Sequence, residues 1–100
     1  MKNVVVHVDT GLEWRGGQRQ VLLLMEEQRR QGWQTHLIAR PGSRLAQAAR
    51  RDMIDITLVE MRGEWDLLAA SRIRAILQVL APAVVHAHSA HAHTLMLLAS

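Results

Sequence analysis

The chain is 100 residues long and 49% hydrophobic, with 12 Lys and Arg against 9 Asp and Glu for a net charge of +3. That length gives one small domain, below the size of a complete α/β enzyme, and an apolar content without low-complexity tracts excludes a disordered chain. The weak positive charge and three aromatic residues (Trp14, Trp33 and Trp65) provide no stacking ladder for nucleic acid, and the lack of cysteine excludes disulfides and thiolate metal sites.

In chain order, Lys2 to Val8 reads as a continuous buried strand, the pattern of a parallel sheet covered on both faces. This start is too short and too interrupted for a signal peptide, and no apolar run reaches the roughly 20 residues of a membrane span. A glycine-bearing loop, Thr10–Gly17, leads into a helix over 18–31, which Gly32 is placed to stop. Trp33 to Ala39 is the second strand, and Ser43 after the turn Arg40-Pro41-Gly42 is positioned to cap a helix over 44–51. Ile54 to Glu60 is the third strand. A helix over 66–80 follows, with Ala69, Ala70, Ile73, Ile76, Leu77 and Leu80 on one face and Asp66 as its expected cap. Ala83 to His88 is the fourth strand, and Ser89 opens a final apolar helix that is still running at Ser100, so the chain reads as the N-terminal piece of something longer.

A β-α-β-α-β-α-β-α succession requires right-handed crossovers within one parallel sheet, and the common doubly wound order is 3-2-1-4. The fold class predicted is thus α/β, a Rossmann-like doubly wound parallel sheet. In that order the first and fourth strands are neighbours at the switch point, so the loop after the first strand and the run His86-Ala87-His88-Ser89-Ala90-His91-Ala92-His93 flank one crevice.

Glycine loops at helix N-termini bind phosphate through exposed backbone N–H groups. Here GxGxxG is absent, and Gly11 to Gly16 has P-loop spacing but is followed by Gly17-Gln18 where Lys and Ser/Thr would be needed. The histidine run holds four of the six histidines, and imidazole titrates near neutrality. Strand alternation puts Val84, His86 and His88 on one face. His88, nearest the C-terminal end, is expected to face the crevice, and the deeper His86 to pack within the sheet. No metal is expected: His91 and His93 stand about 200° apart around a helix axis, no carboxylate follows Asp66, and a metal needs three convergent ligands. Arg62 emerges on the same rim and suits an acidic substrate group. Arg40, Arg44, Arg50 and Arg51 form a basic patch, read either as a solvated face or as a contact with anionic lipid.

Five segments in register resemble one family. Trp14-Arg15-Gly16-Gly17-Gln18-Arg19-Gln20-Val21-Leu22, Gln31-Gly32-Trp33-Gln34-Thr35-His36-Leu37, Arg40-Pro41-Gly42-Ser43, Met61-Arg62-Gly63-Glu64-Trp65-Asp66-Leu67 and Val84-Val85-His86-Ala87-His88-Ser89 are similar to the N-terminal domain of family 4 glycosyltransferases of the GT-B fold. The resemblance implies that 1–100 is the acceptor-side domain of a retaining glycosyltransferase, with a second, donor-binding domain not contained in this chain. It implies a nucleotide sugar as co-substrate rather than a resident cofactor, and a bacterial enzyme acting on an envelope lipid or saccharide acceptor, as in lipopolysaccharide synthesis. It also implies a cytoplasmic location, either soluble or peripheral on the inner face of the membrane. Gly16 and Gly17 would approach the donor phosphates, His88 would be the catalytic side chain near the transferred sugar, and Trp14, Arg15 and Arg62 would contact acceptor or substrate. Many relatives carry Glu just after the double glycine where this chain has Gln18 and Arg19, so that carboxylate's role does not carry over. By itself the 100-residue piece is expected to be inactive. Two other readings are a non-catalytic phospholigand or regulatory module, and a His-x-His metal-dependent hydrolase, whose usual barrel needs about 250 residues.

Overall fold

The computed structural model describes residues 3–12, 16–61 and 66–88. Within them β1 (Val4–Asp9), α1 (Gly16–Arg30), β2 (Gln34–Ala39), α2 (Arg44–Arg51), β3 (Asp55–Leu58), α3 (Leu67–Leu80) and β4 (Val84–Ala87) follow in that order. The strands are all parallel, in the order β3-β2-β1-β4. This is the doubly wound 3-2-1-4 arrangement, with β1 and β4 adjacent. The helix expected from Ser89 onward lies outside the described residues, as do Trp14, Arg15 and Arg62.

Two apolar clusters flank the sheet, and alternation along β1 sends alternate side chains into one of them. Val6 and Val8 enter one cluster with Ile38, Val59, Met61, Ala69, Ala70 and Ile73, beneath α3. On the opposite face α1 and α2 contribute Val21, Met25, Leu45, Ala46 and Ala49, packed on Leu37 and Ala39 of β2. Both faces of the sheet are covered, which is why β1 is buried along almost its whole length and is mostly apolar. Removing each fully buried aliphatic side chain from water is worth about 1.5–3 kcal/mol, so the two clusters supply the main drive to fold.

The helix ends follow local chemistry. Ser43 Oγ accepts from Ala46 N at 3.0 Å, and Asp66 Oδ1 accepts from Ala69 N at 2.9 Å, each satisfying an orphan N–H of a first turn. At the end of α1, Gly32 takes φ 95°. Gly32 N donates to Arg29 O at 3.0 Å and Trp33 N to Gln28 O at 2.9 Å, a Schellman closure that sends the chain into β2.

Two boundaries differ from the sequence reading where they matter. α1 begins at Gly16, so the glycine pair forms the first turn of the helix rather than the loop before it. β1 runs on to Asp9, whose carboxylate closes the following turn by accepting from Gly11 N at 2.8 Å. Leu12 O in turn accepts from Arg44 N at 3.1 Å, tying this loop to the start of α2.

Val21 to Met25 is a continuous apolar block, so its pattern alone picks out no buried side. In the structure Val21 and Met25 point inward, whereas Leu23 is 52% exposed. Met25→Ala is therefore expected to cost about 2–5 kcal/mol and Leu23→Ala about 0.5 kcal/mol or less, measured by urea unfolding. Equal losses would mean that α1 is rotated from this orientation.

Candidate functional site

The crevice opens at the C-terminal ends of β1 and β4, beside the first turns of α1. A cavity of about 480 Å³ is lined there by Asp9, Gly17, Gln18, Leu24 and His88, among others. Asp9, only 3% exposed, sits at its floor. Gly17 has no heavy atom within 4 Å of where a Cβ would stand, so its surface is open backbone at a helix N-terminus. The first N–H groups of a helix lack intrahelical partners and carry partial positive charge, which favours an anion at this position.

Beneath this opening lies an imidazole pair. His7, on β1, is fully buried. Parallel pairing of β1 with β4 sets His7 level with His86, and His88 follows two residues on along the same face. His7 Nδ1 lies 2.8 Å from His88 Nε2, and His7 Nε2 lies 2.7 Å from Gln28 Oε1. Gln28 continues the inward stripe of α1 through Val21 and Met25, at the helical spacings of four and three. Gln28 Oε1 can only accept, so His7 donates from Nε2. Its Nδ1 then accepts from Nε2–H of His88, and the acceptor nitrogen of His88 is Nδ1. Burial pushes the His7 pKa down to about 4, with the Gln28 hydrogen bond opposing the shift and neighbouring His88 and His86 reinforcing it. His7 is thus a neutral, polarised orienter beneath His88, which is half-buried and reaches the cavity.

The structure brings Gly17 and His88 to one cavity, as the sequence predicted, and places Gly16 at the start of the same helix. It corrects the placement of His86. That residue was expected to be packed, but it is exposed because β4 is the outer strand of the described sheet, with a neighbour only on the β1 side. His86 remains in the group: its ring packs edge-on against His7, with centroids 5.2 Å apart. His36 belongs elsewhere. It faces the α3 side, bonds Thr57 Oγ1 at 2.7 Å, and has a pKa lowered by burial against the opposing effect of Asp55. The residues that sequence reasoning missed are His7, Asp9 and Gln28. The usable signal was a histidine within an otherwise apolar strand, with a glutamine in register on the inward stripe of the next helix.

The architecture is that of the Rossmann-like domains of GT-B glycosyltransferases. A glycosyltransferase from Rickettsia africae ESF-5 superposes over 98% of this chain with a TM-score of 0.82 at 20% identity. MurG from Acinetobacter baumannii superposes over 99% with a TM-score of 0.76 at 17% identity. The chain spans 26% and 32% of those two proteins' lengths, respectively. No curated protein matches it in sequence. The pattern of Glycosyltransferase Family 4 matches residues 14–100, and the chain belongs to that family.

The buried imidazole makes folding pH-dependent. Below pH 6.5 the unfolded chain binds a proton at His7 that the folded chain refuses until about pH 4, so stability falls as pH drops through that window. His36, also lowered, adds to the same trend. A loss of about 2 kcal/mol between pH 7 and pH 5 is expected from His7 in urea titrations. A His7→Phe variant should show a correspondingly shallower pH dependence, and an unchanged slope would contradict a neutral buried His7.

Proposed function

We propose that this chain is the acceptor-side domain of a retaining, nucleotide-sugar-dependent glycosyltransferase, with Gly16 and Gly17 at the donor phosphates and His88 beside the transferred sugar. The observation that carries the reading is the meeting of an open helix N-terminus at Gly17 with a backed histidine at His88 in one cavity, in a chain of this family. N–H groups of the first turn of α1 would stabilise the negative charge that grows on the departing diphosphate, a pre-oriented electrostatic contribution needing little reorganisation. His88, oriented by His7, would lie beside the transferred sugar, its ring placed to contact a sugar hydroxyl. The second domain would hold most of the donor, and Trp14, Arg15 and Arg62 would contribute acceptor contacts.

Two substitutions in the full-length enzyme test this. Gly17→Val adds a side chain in open space, so the fold should persist while transfer activity is largely lost. His88→Ala should lower turnover by about 10²-fold or more, the scale of a lost electrostatic or proton-handling group. Activity near wild type in either variant would remove that residue from the site.

The acceptor we infer is an envelope lipid or saccharide, and the basic patch supports a peripheral approach to an anionic membrane. Arg44, Arg50 and Arg51 are exposed on or at the end of α2, whose Leu45, Ala46, Ala48 and Ala49 are buried, with Arg40 half-buried nearby. Arg44 and Arg51 stand two turns apart on one face. No helix among the described residues is long and apolar enough to cross a membrane. Each Arg near an anionic surface contributes about 1 kcal/mol, screened as salt rises. Co-sedimentation with anionic but not neutral liposomes is expected, lost in high salt and in Arg44→Glu/Arg51→Glu. Indifference to both vesicle types would leave the patch as a solvated face.

A further inference from the structure

We propose that His7, His86 and His88 form a binding site for a divalent transition-metal ion such as zinc. His7 and His86 are paired on the adjacent strands β1 and β4, His88 directly follows β4, and one nitrogen of each lies within 4.8 Å of the others. Three neutral imidazoles with an open fourth position are a known zinc donor set, and nitrogen-only ligation selects zinc, copper or nickel over magnesium and calcium.

The required adjustments are small. Metal–nitrogen bonds of about 2.0–2.1 Å at tetrahedral angles put ligand nitrogens about 3.3 Å apart. The His7 Nδ1–His88 Nε2 pair at 2.8 Å opens slightly, and the exposed His86 ring is able to swing inward. Gln28 already supplies the supporting interaction that metal-bound histidines use. By accepting from His7 Nε2–H it fixes Nδ1 as the ligating nitrogen. Two of the ligands stand on paired strands, and the third, His88, is tied to β1 just past β4 by its backbone N–H donating to Val8 O at 3.0 Å.

Ligation and the His7–His88 hydrogen bond are mutually exclusive. The metal takes both lone pairs at Nδ1 of His7 and Nε2 of His88, so the His88 proton moves to Nδ1. The imidazoles remain neutral, and no net proton is released from this pair. This rests in part on the proposed role of His88 in transfer: an ion held there turns an acceptor nitrogen into a donor and is expected to inhibit transfer.

The test is binding, read separately from transfer. Chelator-treated protein is titrated with Zn²⁺ by calorimetry, and with Co²⁺ by visible absorption for coordination geometry. One ion per chain is expected, with a tetrahedral Co²⁺ spectrum and no competition from Mg²⁺. His86→Ala, a change at an exposed position, should weaken affinity at least about ten-fold, as should His88→Ala, and Gln28→Leu should weaken it about 10–100-fold through the supporting shell. A His91→Ala/His93→Ala variant should retain binding. Undiminished affinity in His86→Ala or His88→Ala would overturn the site, as would loss of binding in the His91/His93 variant or no binding at micromolar Zn²⁺. Loss of transfer in His88→Ala alongside unchanged zinc affinity would contradict the metal site while leaving the transferase reading standing.

Discussion

A neutral imidazole buried in a sheet must find one acceptor for its N–H and one donor for its lone pair, or carry a desolvation cost of about 1–3 kcal/mol for each orphan. His7 meets both demands with groups from two other elements, Gln28 on α1 and His88 at the end of β4. That pair of bonds joins the inward stripe of α1 to the fourth strand across the central one. It also decides which nitrogen of His88 donates inward and which accepts. The geometry of the crevice depends on this arrangement more directly than on any surface contact.

Placing a polar side chain in this position has two consequences. Burial keeps His7 uncharged near neutral pH, so it holds His88 by hydrogen bonding rather than by charge. The same nitrogen that accepts from His88 is available to a metal ion, so orienting and ligating are alternative uses of one lone pair. Asp9 plays a parallel role two residues further along β1, where its carboxylate fixes the turn after the strand by accepting from Gly11 N. Two buried polar residues of β1 thus govern the two sides of the cavity.

Much of the fold was legible in sequence because apolar periodicity and capping chemistry agree. Gly32, Ser43 and Asp66 stand where the helix ends require them, and the 3-2-1-4 order is the common doubly wound arrangement for such a β-α succession. Gly17 and His88 were legible through the switch-point rule. The remainder depended on side-chain pairing across elements. Strand parity gives the face of His86 and His88 but not the register of β1 with β4, and only that register sets His7 level with His86. Depth along the strand was a poor guide to the burial of His86, since among the described residues β4 has a neighbouring strand only on its β1 side. His7 stands within a mostly apolar strand and Gln28 among the charged residues of the C-terminal half of α1, so neither signals the other in sequence.

The central claim, that His7 is a neutral Nε2–H tautomer bonded to both Gln28 and His88, is tested most directly by ¹⁵N NMR of the histidine side chains in metal-free protein. At pH 7 both His7 and His88 should show the Nε2–H form, and His7 should begin to titrate only as pH approaches 4. An ordinary titration of His7 near 6.5, with averaged tautomers, would contradict the account.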